Sequence, residues 1–122
     1  MFKSIYKMLA EDFAFLCNYE YFFLHNLKHY VHPSIEFKRN ESRIQIGYRY
    51  DNNQIYVHLY DATKKKYPNK EELEKIEPKK RYLFSNGIDQ CTNLLEAVTL
   101  IGSSYKDQVK QVKEILLNHL QE

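Results

Sequence analysis

Three histidines provide the first candidate for chemistry. His25, His29 and His32 follow one another at intervals of four and three residues. On a continuous helix they would project from one side, a spacing that suits a zinc ion held by imidazole nitrogens. That geometry requires the helix to reach Pro33, and proline disfavours helical dihedrals in the residue before it, here His32. On a strand His32 would face away from the other two. Solvated histidines on a connecting segment are the simpler expectation, and no metal or other cofactor is assigned. A nucleophile is equally hard to place. Ser103 follows Gly102 but lacks the G-x-S-x-G elbow that exposes a catalytic hydroxyl. Cys17 and Cys91 lie in apolar stripes, where a thiolate is disfavoured. Gly47, Gly87 and Gly102 are too far apart to cradle a phosphate. Glu20 is the one carboxylate whose burial could raise its pKa, although a helix end in water is the plainer place for it. No catalytic residue is assigned.

A binding surface is easier to draw. Arg43-Ile44-Gln45-Ile46-Gly47-Tyr48-Arg49-Tyr50 and Ile55-Tyr56-Val57-His58-Leu59-Tyr60 alternate apolar and polar residues. On strands, Ile44, Ile46, Tyr48 and Tyr50 share one face with Ile55, Val57 and Leu59. The opposite, solvated face then carries Arg43, Gln45, Arg49, Tyr56, His58 and Tyr60, with Glu36 and Lys38 nearby. Tyrosine and arginine are enriched at interface hot spots. They also serve as stacking platforms and phosphate contacts for single-stranded nucleic acid. Arg43, Arg49, Tyr56, His58 and Tyr60 are therefore the expected partner-binding residues, with a protein as the expected partner.

These residues need a scaffold, and hydrophobic periodicity supplies one. Phe2, Ile5, Leu9, Phe13 and Leu16 recur at helical spacing and predict a helix over 3–18. Residues 19–31 admit two readings. A continued helix would put Glu20 inside the apolar stripe, at a cost for an unpaired carboxylate. A strand would put Tyr19, Tyr21 and Phe23 on one face, and the extended reading is preferred. Strands are expected over 34–38, 43–50 and 55–60, joined at Asn40-Glu41 and Asp51-Asn52-Asn53, residue types that tolerate left-handed turn geometry. Asn69 and Glu72 frame a short charged helix over 70–76 that ends at Pro78. Leu94, Leu95, Val98 and Ile101, with Cys91, predict a helix over 88–101. Ser104 opens a second over 104–120, with Tyr105, Val109, Val112, Leu116 and Leu120 on its stripe. The expected fold is α+β: an N-terminal helix, an antiparallel meander of three to four strands, a short charged helix, and two C-terminal helices packed on one sheet face.

Composition bounds the class. A chain of 122 residues fits one domain, 1–122, and buries roughly 65% of its unfolded surface. The net charge of +2 is too small to imply a polyanion partner. The positive excess is confined to 64–81, where Lys64-Lys65-Lys66 and Lys79-Lys80-Arg81 flank Glu71, Glu72, Glu74 and Glu77. Two cysteines do not make a disulfide framework, and buried, reduced thiols are expected. Without a visible signal peptide or a run of 18 apolar residues, a soluble cytoplasmic protein is expected, with no membrane contact.

The N-terminal half also carries a recognisable layout. Asp12-Phe13-x-Phe15-Leu16 leads into Tyr19-Glu20-Tyr21-x-Phe23. Ile35-Glu36-Phe37 follows, then Ile44-x-Ile46-x-Tyr48-x-Tyr50-Asp51 and Ile55-x-Val57-x-Leu59-Tyr60. This resembles small, mostly uncharacterised bacterial α+β proteins, some of them similar to immunity proteins of polymorphic toxins. The resemblance implies a protein that binds and neutralises a cognate toxin without catalysis. Inhibitors of basic nuclease toxins are often strongly acidic, and this chain is slightly basic, which argues against a nuclease target. The alternative is a nucleic-acid-associated or regulatory protein using the basic 64–81 segment, and a third option is a metal-dependent enzyme using His25 and His29.

Overall fold

The computed structural model describes residues 4–27, 32–63, 74–75, 92–95 and 104–121. They form a mixed α+β fold in which an antiparallel sheet carries helices on its apolar face. Helix α1 spans Ile5–Asp12. Ser4 caps it, its hydroxyl accepting from the Lys7 amide at 3.2 Å. The helix predicted over 3–18 does not continue as an α-helix. At Phe13 it tightens into a 3-10 helix over Ala14–Tyr19. The sequence spacing changes at the same point. Ile5, Leu9 and Phe13 are four apart, whereas Phe13, Leu16 and Tyr19 are three apart, the repeat that aligns side chains on a 3-10 helix. Leu9, Phe13 and Leu16 are all fully buried despite the change of winding. Glu20 ends the turn in the left-handed region (φ 67°) and is exposed.

Strand β1, Phe22–Leu27, follows, in agreement with the extended reading of this region. Strands β2, Ser34–Arg39, β3, Ser42–Arg49, and β4, Gln54–Asp61, build the predicted meander. Asn40 (φ 52°) and Asn53 (φ 55°) take the left-handed conformations of its two turns. A fifth strand, β5, Thr92–Asn93, pairs antiparallel with β4, and the order across the sheet is β1-β2-β3-β4-β5. The predicted helix over 88–101 is therefore corrected at Thr92–Leu95. There the Leu94 amide donates to the Val57 carbonyl at 2.9 Å, so the apolar pattern lost to the pull of an open sheet edge. The rest of that predicted helix, Cys91 included, and the 64–81 segment apart from Glu74 and Lys75 lie outside the described residues. Helix α2, Tyr105–Leu120, closes the chain, capped by Ser104, whose hydroxyl accepts from the Asp107 amide.

Register decides which side chains meet. Ile35, Ile46 and Val57 are aligned across β2, β3 and β4, as are Phe37, Ile44 and Leu59. With Ile55 they pack on Leu9, Phe13, Leu16, Val109, Val112 and Leu116 from the helical layer. Each fully buried side chain of this size contributes about 1.5–3 kcal/mol. Two polar contacts fasten the helices to this core. The Gln108 side chain, 1% exposed, accepts from the Ile55 amide at 2.9 Å and donates to the Asn53 carbonyl at 2.7 Å. It thereby satisfies two main-chain groups where β4 begins. The Tyr105 hydroxyl donates to Asp12 at 2.8 Å and joins α2 to α1. Burial, reinforced by the Asp12 carboxylate, pushes the Tyr105 phenol well above its ordinary value.

Two predictions follow from these contacts. Gln108→Leu leaves the buried Ile55 amide unpaired and removes the bond to the Asn53 carbonyl, and should cost about 1–3 kcal/mol, read from urea unfolding. Tyr105→Phe should cost about 1.5 kcal/mol at neutral pH. Because the folded state holds this phenol protonated, its contribution is full below the free phenol value near pH ~10 and is lost as pH rises through the raised one. The stability gap between wild type and Tyr105→Phe should therefore narrow above about pH 10. A gap constant across alkaline pH contradicts the assignment.

Candidate functional site

The face of the sheet turned away from the helices was expected to be solvated. Its centre is buried instead. Alternation does place Ser34, Glu36, Arg43, Gln45, Tyr56, His58 and Tyr60 there, but Glu36 is 3% exposed and Ser34 and Gln45 are fully buried. Register aligns His25, Glu36, Gln45, His58 and Asn93 in one polar row across all five strands.

Glu36 is the hub of this row. The Tyr60 hydroxyl donates to its Oε2. His25 Nε2 lies 3.5 Å and Arg43 Nε 3.9 Å from its Oε1. A carboxylate withdrawn from water is costly unless paired and hydrogen-bonded, and these three groups supply both. Arg43 is itself anchored, donating through Nη1 to the Asn40 carbonyl at 2.6 Å and the Ser42 carbonyl at 3.0 Å. Next to this cluster, the Tyr56 ring lies over Gly47. A Cβ at position 47 would overlap that ring, so the ring keeps its place only because the residue opposite Tyr56 is glycine. The Tyr56 ring also packs 4.9 Å from the His58 ring. Burial raises the Tyr56 phenol pKa, and hydrogen bonds with Ser34 and Gln45 partly oppose that rise.

The five residues expected to hold a partner are thus divided by the structure. Arg43 and Tyr60 converge on Glu36, and Tyr56 pairs with His58. Arg49 stands apart at the end of β3. It is exposed and forked onto Asp51, through Nε at 3.3 Å and Nη2 at 2.9 Å. This hydrogen bond is the main cause of the lowered Asp51 pKa. Tyr60 is 8% exposed and Tyr56 and His58 are half-buried, so Arg49 is the most accessible of the five.

Other candidates also move. His25 sits on β1 facing Glu36, His32 lies in the bend before Pro33, and His29 is outside the described residues. No cluster of three metal-ligating side chains occurs among the described residues. Cys17, expected to be buried, is an exposed free thiol on the 3-10 helix. The tighter winding turns it away from the stripe of Phe13 and Leu16.

Sequence patterning missed a run of exposed apolar residues on β1. Phe22, Phe23 and Leu24, 58%, 47% and 36% exposed, stand together on β1. This strand lies at the edge of the sheet and pairs with β2 alone among the described residues. A bulge between Phe23 and His25 leaves Leu24 without a partner in the register. The available signal was a run of three apolar residues without alternation, which makes both strand faces apolar. Beside Phe22 a groove of about 400 Å³ is lined by Glu20, Phe22, Lys38, Arg39 and Asn40. Arg39 donates to the Tyr19 carbonyl at 3.1 Å and lies 4.4 Å from the centre of the Tyr21 ring, which fixes one wall. No helix among the described residues is long and apolar enough to cross a membrane.

The hub predicts a coupling. Glu36→Gln keeps an acceptor for Tyr60 but removes the charge paired with Arg43, whereas Tyr60→Phe removes the donor. Each single change should destabilise by about 1–3 kcal/mol. A double-mutant cycle that pairs Tyr60→Phe with Glu36→Ala, a change that removes the acceptor, should return a coupling of at least about 1 kcal/mol by denaturant unfolding. Strict additivity contradicts a direct Glu36–Tyr60 contact.

No family model matches the chain, and no curated protein or solved structure matches it either.

Proposed function

We propose that this is a non-catalytic binding protein that acts by holding a protein partner, in the manner implied by its resemblance to immunity proteins: direct neutralisation of a cognate bacterial toxin. One observation carries the reading, the run Phe22-Phe23-Leu24, which exposes apolar side chains on both faces of an edge strand. Edge strands are ordinarily blunted by lysine, proline or cover. Contiguous exposed apolar side chains mark contact surfaces. The polar groups best suited to proton transfer also favour binding over turnover. Glu36, Tyr60 and Arg43 are engaged with one another and largely withdrawn from solvent. In this reading the contact surface lies at the sheet edge rather than on the centre of the face, where the Glu36 cluster serves stability.

Co-expression with the product of the adjacent gene tests the reading. That product should arrest growth alone, and this protein should restore it. Phe22→Asp with Leu24→Asp should abolish rescue; Phe22 is 58% but Leu24 only 36% exposed, so a stability loss of about 1–2 kcal/mol is expected and urea unfolding checks that the variant remains folded. Phe23 is left intact because its ring packs edge-on against Phe37 at 5.9 Å. An adjacent product that is neither toxic nor bound removes the immunity reading, and rescue that survives the double change removes the surface.

A further inference from the structure

We infer that the edge of β1 receives an extended segment of a partner protein as an added antiparallel strand, with a carboxylate of that segment seated beside Lys38. The inference rests on the partner-binding reading and names how the partner is held.

The backbone argues for a strand. An edge strand presents a row of outward N–H and C=O groups that an extended chain can pair with. All pairings in this sheet are antiparallel, the geometry that is slightly more stable per residue. Phe22-Phe23-Leu24-His25-Asn26-Leu27 contains no lysine, arginine, carboxylate or proline, so neither charge nor a missing donor repels an incoming strand. The bulge at Leu24 interrupts the ladder and limits continuous pairing. Side chains must therefore contribute as much as main chain, and the exposed parts of Phe22, Phe23 and Leu24 present roughly 250 Å² of apolar surface for that purpose. This is well short of the ~800 Å² per partner of a stable interface, so the strand forms the centre of a wider contact.

The groove argues for the carboxylate. Phe22 pairs with Lys38 where β1 begins, and the groove opens at that corner. An antiparallel guest has its C-terminal end there. Two cations, Lys38 and Arg39, face one carboxylate, Glu20. Arg39 is committed to Tyr19 and Tyr21. Lys38 is exposed, and among the described residues it makes no hydrogen bond or ion pair. A C-terminal Asp, Glu or chain terminus on the guest complements this corner.

The test uses the full chain and three synthetic octapeptides. The first alternates valine and threonine and ends in two aspartates. The second ends in two lysines instead. The third repeats the first with alternate main-chain amides methylated. Amide chemical shifts of residues 22–27 and of Lys38 are followed by NMR during titration. The acidic peptide should shift these resonances with high-micromolar affinity. The lysine version should bind at least fivefold more weakly, and methylation should abolish the effect. Lys38→Glu should reverse the preference between the two charged ends. No perturbation of 22–27 at millimolar acidic peptide, or equal binding of the methylated peptide, overturns the inference. The co-expression result is separate. Peptide pairing without growth rescue keeps the edge and removes the immunity reading, whereas rescue without peptide pairing keeps that reading and removes strand addition.

Discussion

A carboxylate placed in the middle of a sheet and closed off from water must have its charge answered from neighbouring strands, and Glu36 organises its surroundings on that basis. Tyr60 donates to it from β4, Arg43 approaches from β3 and His25 from β1. A one-residue slip in any of these strands would turn the partner to the opposite face. The ladder and the ion cluster therefore specify the same register. The apolar face agrees, since the alignment that joins Glu36 to Gln45 and His58 also joins Ile35 to Ile46 and Val57. Agreement between levels of this kind separates one native arrangement from its competitors.

The helical layer meets the sheet through a similar division of labour. Apolar contacts from Leu9, Phe13, Leu16, Val112 and Leu116 supply most of the burial. Such contacts are non-directional. Direction comes from Gln108, which reaches the start of β4 from α2, and from Tyr105, which reaches Asp12 on α1. These bonds set where the helices sit along the sheet.

Burial of the polar face changes where binding has to be sought. Tyrosines and arginines that face solvent are free to meet a partner, whereas the same residues bound to a buried carboxylate are already engaged. Tyr60 and Arg43 fall in the second group. Exposed among the described residues are Arg49 and Tyr50, where β3 ends, and Phe22, Phe23 and Leu24 at the sheet edge, beside a groove with a cationic side chain. The bulge at Leu24 limits indiscriminate pairing along that edge.

The local pattern of the chain was enough to determine the strands of the meander, its asparagine turns, the N-terminal helical stripe and the C-terminal helix with its serine cap. Each depends on periodicity or on one residue's backbone preference, and both are written in neighbouring positions. The change of spacing at Phe13 was also there to be seen as the switch to a tighter helix. Thr92–Asn93 were not legible as a strand, because their conformation comes from pairing with β4 and not from their own pattern. Nor was the fate of the polar face. Alternation assigned Arg43, Tyr56, His58 and Tyr60 to the correct side of the sheet but could not say that this side is buried, since burial depends on elements distant in sequence. For the same reason Glu36 looked like one more surface carboxylate until three strands brought Tyr60, Arg43 and His25 to it. The choice of β1 as the open edge belongs to strand order, a property of the assembled sheet that local sequence does not contain.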